Sequence, residues 1–261
     1  RKNGLIDQIW STLQRRVLLS ATRIVALGPQ MKERISNNAG EELDSDTIHI
    51  IHNWEDPEFI KPMDKSDNWF SQKHELDKQF SVLYSGNIGD FHDLETLVEA
   101  MAALDDKRAK ALIIGEGDNK DNIVAHAESL GVRGNGISFL PYQPLDDLPY
   151  SLTAADVSVV TVREETRGIC VSSKLYTAMA AGTPILVIAH PNDDEARITT
   201  RFDAGIQASP GDVEGVQEAI ETWIENPDLL TKQGHNARKA FEQNFTRKQS
   251  VRAYYELLSG E

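Results

Sequence analysis

From residue 80 onward, short apolar runs alternate with stretches in which apolar residues return every three or four positions. The runs are Phe80–Tyr84, Ala111–Ile114, Ile137–Leu140, Val157–Val162, Thr183–Ala189 and Ile206–Ala208. They are short, largely aliphatic and closed by polar, Gly or Pro residues, as buried strands are. Between them, Leu94, Leu97, Val98 and Met101 share one helical face, as do Ile123, Ala127 and Leu130. Further helices are predicted around Leu145–Ala155, over Ser172–Ala181 and over Asp193–Phe202. Three more close the chain: Asp212–Glu225, Asp228–Phe245 and Arg247–Leu258. Six strands separated by helices predict an α/β fold, a doubly wound parallel sheet with right-handed crossovers.

The first sixty residues follow another pattern. Leu5–Leu19 is amphipathic, with Ile6, Ile9, Trp10, Leu13 and Val17 in register. Strands are predicted at Arg23–Leu27 and Thr47–Ile51, with a helix from Gln30 to Asn38 between them. Two strands do not make a stable α/β sheet by themselves. Trp54–Asp67, with Pro57, Pro62 and several acids, reads as a linker. The expected division is 1–60, the end of a preceding Rossmann-like domain with its linker, and 61–261, a second domain with its own C-terminal helices. A start at Arg1, without Met or a charged-then-apolar leader, fits a chain that begins inside a longer protein.

The strongest chemical candidate is YSGNIGDFHDLETLVEA, from Tyr84 to Ala100. It passes from a strand through a Gly-rich turn into a helix that Asp93 is placed to cap. Such a turn lets backbone N–H groups approach an anion at a helix N-terminus. It is equally the pattern of a tight turn whose glycines only relieve strain. Topology separates the two. Doubly wound sheets bind ligands where strand order reverses, here between the first and fourth strands. The first strand delivers Gly86–His92, and the fourth delivers REETRGICVSSK, with Arg163, Glu164, Glu165, Arg167 and Gly168 before a helix that starts at Ser172 or Ser173. Two helix ends plus Lys174 suit a diphosphate.

Charge narrows the partners. The chain has 41 acidic and 27 basic residues, net −14, so a nucleic-acid surface is not expected. No apolar run reaches the length of a membrane span. The one cysteine, Cys170, forms no internal disulfide and fits a reducing compartment.

At this point the chain resembles a family. The pieces are ALGPQMKERI at 26–35, IIHNWEDPEFIKP at 50–62, LYSGNIGDFHDLETLVEA at 83–100 and IIGEGDNKDNI at 113–123. They continue with FLPYQPLDDLPYSLTAADVSVV at 139–160, SKLYTAMAAGTPIL at 173–186 and GHNARKAFEQNF at 234–245. Their order and spacing resemble the retaining glycosyltransferases of family 4, of GT-B fold, especially bacterial enzymes that build cell-surface polysaccharides. The resemblance implies a cytoplasmic enzyme, and leaves open a peripheral contact with the membrane's inner face through the preceding domain. Its donor would be a nucleotide-diphosphate sugar, UDP- or GDP-linked, and its acceptor a saccharide or a lipid-linked sugar, with no metal and no cofactor.

The resemblance also implies roles. Gly86, Asn87, Gly89 and His92 would line the donor diphosphate. Gly115, Glu116 and Gly117 would form the next ligand-facing turn, and Pro141 and Tyr142 would flank the base. Ser173, Lys174 and Leu175 would offer helix N-terminal groups to phosphate, with Arg167 nearby. Of two glutamates that relatives place eight positions apart, the second falls on Thr177 and the first near Ile169, so Glu165 is the candidate replacement, with Lys174, for the catalytic role. Relatives also carry Arg and Lys where this chain has Asn87 and His92. These departures keep two alternatives open: a non-catalytic nucleotide- or partner-binding module, and a nucleotide-sugar epimerase. An NAD dehydrogenase is not expected, because no Gly-x-Gly-x-x-Gly follows a strand. Asp44-Ser45-Asp46 reads as a polar turn, His49 and His52 lack a third metal partner, and Cys170, Tyr254 and Tyr255 read as packing.

Overall fold

A computed structural model describes residues 4–104 and 109–260. The elements in chain order begin with α1 (Leu5–Ser20), β1 (Ile24–Ala26), α2 (Pro29–Ala39), β2 (Ile48–Ile50) and α3 (Trp69–Lys73). Then follow β3 (Phe80–Ser85), α4 (Glu95–Ala103), β4 (Ala109–Ile114), α5 (Lys120–Ser129), β5 (Ile137–Leu140), α6 (Leu148–Ser151) and β6 (Val157–Thr161). The chain continues through α7 (Ser173–Ala181), β7 (Ile185–Ile188), α8 (Asp194–Arg201), β8 (Gly205–Ala208), α9 (Val213–Glu225), α10 (Pro227–Asn244) and α11 (Arg247–Ser259).

The six later strands form one sheet in the order β5-β4-β3-β6-β7-β8, every neighbouring pair parallel. This is the doubly wound arrangement the sequence predicts. Order reverses between β3 and β6, which pair as Val82↔Val157 and Leu83↔Ser158. β1 and β2 make a separate two-stranded parallel sheet.

Alternation along each strand divides the core. Val82, Tyr84, Val157, Val159, Leu186 and Ile188 face α4, α5 and α9. Val160, Ile185 and Val187 face α7 and α10 on the other side, where Leu175, Tyr176, Met179, Ala237 and Phe241 are buried. Leu83, Leu112 and Ile114 meet Phe70, Leu76 and Ala154. A sheet covered on both faces explains why its strands read as continuous apolar runs.

Three expectations change. The helix expected around Leu145–Ala155 shortens to a 3-10 turn at Leu145–Asp147 and the single turn of α6. Pro149 stands at its second position, and Asn68 Nδ2 donates to Tyr150 O at 2.8 Å, taking a carbonyl that a longer helix would use. The stretch read as a linker is pinned: Ile60 is buried, and Arg238 Nη1 donates to its carbonyl at 2.9 Å. Tyr254 packs on Trp54, but Tyr255 is 63% exposed. On α1, Ile9, Trp10, Leu13 and Val17 are exposed, while the side chain of Ile6 lies outside the described residues.

Trp223 ties α9 to α10 through Nε1, which donates to Gln233 Oε1 at 2.7 Å inside the core. Trp223→Ala opens a cavity and leaves a buried amide oxygen unpaired, so it should cost about 3–5 kcal/mol. Urea unfolding measures this, and a loss below about 1 kcal/mol would show that Trp223 does not hold these helices.

Candidate functional site

The switch point is built by three loops. After β3 comes 86–94, after β4 comes 115–119, and after β6 comes 162–172, leading into α7. The first two are stitched together: Ile88 N donates to Glu116 O at 2.9 Å and Asn119 N to Ile88 O at 3.1 Å. Gly115 and Gly117 have φ of +152° and +155°, and a Cβ at either would overlap the carbonyl oxygens of Gly86 or Ile88. Packing of one loop on the other therefore requires both glycines. Glu116 is engaged by Lys120 at 2.7 Å, and its carbonyl accepts from Tyr142 Oη at 3.3 Å. Pro141 and Tyr142 are exposed at the rim of the crevice.

Lys174, the second residue of α7, reaches across to the first loop. Its Nζ lies 3.3 Å from His92 Nε2 and 5.2 Å from the centre of the Tyr84 ring. A Cβ on Gly86 would overlap Lys174 Cε, so that glycine makes room for the lysine. His92 Nδ1 lies 3.0 Å from Thr161 O, a carbonyl that can only accept. The proton therefore sits on Nδ1, and Nε2 offers its lone pair to the ammonium. Burial, then the Lys174 charge, push the His92 pKa below its ordinary value. Tyr84 Oη donates to Asn87 O at 2.5 Å and so fixes the turn.

The other cations near the crevice are spent. Arg163 Nη2 grips both oxygens of Glu95 at 2.6 and 2.7 Å, and its Nε donates to His92 O at 3.1 Å. Burial pushes the Glu95 carboxyl up, but its own N–H and this guanidinium outweigh it and hold the pKa low. Arg167 Nε pairs with Asp193 at 3.0 Å. No carboxylate pairs with Lys174 among the described residues. Burial pushes its pKa down to about 8, with Cys170 acting weakly the other way. The N–H groups of Ser173 and Lys174 have no protein acceptor among the described residues, as the first turn of a helix leaves them.

The candidate residues thus fall into two sets. Gly86, His92, Ser173 and Lys174 converge, with Asn87 and Gly89 beside them; a Cβ on Gly89 would come 2.7 Å from Asn87 Nδ2. Several of the expected positions are occupied with other contacts or face solvent in the fold. Gly115 and Gly117 serve loop packing. Leu175 is fully buried in the core, with its N–H turned to Ser172 O at 3.3 Å, so it offers phosphate nothing. Thr177 Oγ1 donates back to Ser173 O at 3.1 Å, which helical backbone geometry imposes on a threonine there. Arg167 is held by Asp193. Glu165 stands exposed in the 3-10 turn Glu164–Thr166 and makes no polar contact with Lys174 among the described residues. Beneath the crevice, a cavity of about 40 Å³ lined by Ser85, Ser158, Lys174 and Thr177 is too small for a nucleotide.

The minor candidates resolve simply. Asp44 Oδ1 accepts from Asp46 N at 3.0 Å, so that pair closes a turn. His52 Nδ1 meets Leu27 O at 2.9 Å. Cys170 is exposed and not packed. Sequence reading also missed Tyr84, taken only as a strand residue, and the acids Asp193, Asp194 and Glu195, which are buried at 1–2% exposure. A run of three acids before an apolar helix face was the available signal for them.

A sequence profile described as glycosyl transferases group 1 matches residues 65–240. The chain belongs to this family. Among relatives, it is 25% identical over 246 residues to the probable glycosyltransferase WbjE of Pseudomonas aeruginosa, covering 94% of this chain and 60% of the relative. It is 23% identical over 262 residues to WcaI of Escherichia coli K12, a putative colanic acid biosynthesis glycosyl transferase, covering 99% and 62%. The chain thus spans about three-fifths of the length of these curated relatives. Among solved structures, Anabaena HepE in complex with UDP and glucose superposes with a TM-score of 0.82 at 18% identity, covering 98% of this chain and 69% of that one. WaaG, a glycosyltransferase involved in lipopolysaccharide biosynthesis, gives 0.77 at 18% identity, covering 100% and 71%. The fold of this group 1 chain is therefore that of GT-B glycosyltransferases.

The pH dependence of the ligand-free chain tests the environment of Lys174. A lysine that titrates lower folded than unfolded binds fewer protons when folded, so its burden on stability lifts as pH rises from about 8 to 10.5. Over that window the natural chain should gain on Lys174→Met by up to about 3 kcal/mol. Parallel urea midpoints at both ends would show that Lys174 is ordinary.

Proposed function

We propose that this chain is the donor-binding half of a retaining, family 4 type hexosyltransferase, joined to the end of its acceptor-binding domain. The observation that carries this reading is Lys174: a partly buried ammonium with no carboxylate partner among the described residues, at a helix N-terminus, at the switch point of a doubly wound sheet. A cation that is partly desolvated and unpaired is held at a cost that an anion offsets. A nucleoside diphosphate brings that anion to the lysine and to the unpaired N–H groups of Ser173 and Lys174.

The mechanism follows from charge. As the bond from the sugar to the diphosphate breaks, negative charge grows on the leaving oxygens. A fixed ammonium and helix-end N–H groups stabilise it without reorganising, so no metal is needed for this role. His92 holds Lys174 in place and stays neutral beside it, so it adds no second charge of its own. UDP is the first nucleotide to test, since the structural neighbour HepE is in complex with UDP and glucose; GDP is the second. The acceptor is a saccharide or a lipid-linked sugar, in keeping with relatives named for colanic acid and lipopolysaccharide biosynthesis. The opposing acceptor domain is required to orient the acceptor and exclude water, so the 261-residue chain binds donor without transferring sugar. Cytoplasmic location belongs to the same reading. The exposed apolar face of α1 is then the surface on which the rest of the acceptor domain sits.

Calorimetry of UDP and UMP on the natural chain and on Lys174→Ala tests this. The substitution should weaken UDP binding by about 1.5–3 kcal/mol, the range for hydrogen bonds to charged groups, and UMP binding by less. Equal losses for both nucleotides, or none for either, would show that the diphosphate does not rest on Lys174.

A further inference from the structure

Three consecutive acids, Asp193, Asp194 and Glu195, lie buried at the start of α8, and each carboxylate reaches a different part of the molecule. Asp193 Oδ1 pairs with Arg167 Nε at 3.0 Å, and its Oδ2 accepts from His190 N at 3.2 Å. Asp194 accepts from Gln30 N, at 3.1 and 3.3 Å, and so caps α2, whose own N-cap residue is Gly28. Gly28 is extended, and a Cβ there would overlap the Asp194 carboxylate. Glu195 Oε1 accepts from Ser172 N at 2.5 Å, at the N-cap of α7 and two residues from Lys174.

These contacts run through one short stretch. α2 also lies directly on the loop before α7. Arg34 Nη1 donates to Arg167 O at 2.9 Å, and a Cβ on Gly168 (φ +66°) would stand 3.2 Å from Gln30 O and Arg34 Cδ. The loop 163–172 is therefore held from α2 on one side and from the start of α8 on the other.

We infer that Asp194 and Glu195 are positioning residues: they clasp the N-terminus of α2 to the N-terminus of α7, so that the placement of the N-terminal segment sets the placement of Ser173 and Lys174. The inference rests on the reading of Lys174 as the diphosphate seat for its consequence, though not for its geometry. α2 leaves its first N–H groups without a side-chain cap of its own, and Asp194 supplies the missing acceptor from 164 residues away. A local Ser or Asp at position 28 would have satisfied the same donors. Capping from α8 instead makes the helix depend on contact with the donor loop. The acceptor half of the enzyme then has a rigid path to the leaving-group site, with no nucleotide contact of its own.

The test combines amide hydrogen exchange of the ligand-free chain with UDP affinity in Asp194→Ala, Asp194→Asn and Arg34→Ala. In Asp194→Ala, exchange should rise at least tenfold over 163–174 as well as over 29–34, and UDP should bind three- to tenfold more weakly. Asp194→Asn keeps one acceptor oxygen and should restore most of both. Arg34→Ala, a surface truncation, should raise exchange over 163–174 even if Asp194→Ala fails to fold. A rise confined to 29–34 in Asp194→Ala, or none over 163–174 in Arg34→Ala, would overturn the clasp. A natural chain that binds neither UDP nor GDP yet shows the exchange pattern would leave the clasp standing and refute the donor reading.

Discussion

Parallel pairing of β3 with β6 is the constraint from which the site follows. These strands lie far apart in sequence, and each carries a helix to a different side of the sheet. Their carboxyl ends open side by side, so the loop at 86–92 and the start of α7 face one crevice. Nothing in the local sequence of either loop does this. It is the reversal of strand order that places Gly86 against Lys174, and His92 close enough to receive its ammonium. The small-residue helix SKLYTAMAAG then packs tightly on the sheet, with Leu175, Tyr176 and Met179 in the core. That packing fixes which way Lys174 leaves the helix.

Electrostatics gives the crevice its polarity. The chain is net acidic, and two of its arginines at the switch point are already bound to Glu95 and Asp193. Lys174 is left without a carboxylate among the described residues, shielded by Tyr84 and His92. A cation at a helix N-terminus opposes the helix dipole, so two unfavourable features coincide at Lys174. Both reverse when an anion binds. On the proposed reading this is strain that a ligand relieves, and the surrounding apolar layers supply stability elsewhere.

Much of this was legible in the sequence. The six strands, their parallel order and the crevice between the first and fourth of them follow from hydrophobic periodicity and a topological rule. Lys174 was legible as well, because a lysine at the second position of a predicted helix has a direction. The rest depended on pairing, which a sequence does not display. Arg163 and Arg167 read as free cations until Glu95 and Asp193 are seen beside them. Gly115 and Gly117 read as phosphate-facing until the carbonyls of Gly86 and Ile88 fill the space. Glu165 read as a catalytic replacement from its place in a loop, but a 3-10 turn aims it to solvent. His92 and Tyr84 gained their roles only from contacts across the sheet. The family resemblance gave the GT-B fold and the group 1 family, while its residue-by-residue roles depend on partners across the sheet that no single stretch displays.

The central claim is that a diphosphate completes the charge of Lys174, and the titration of that one ammonium tests it most directly. Nitrogen-15 NMR of the lysine side chains reports the Lys174 pKa with and without saturating UDP. In the free chain it should stand near 8. Bound diphosphate should raise it by at least one pH unit, because the anion favours the charged form. A Lys174 pKa that UDP leaves unchanged, in a chain that demonstrably binds UDP, would contradict the account.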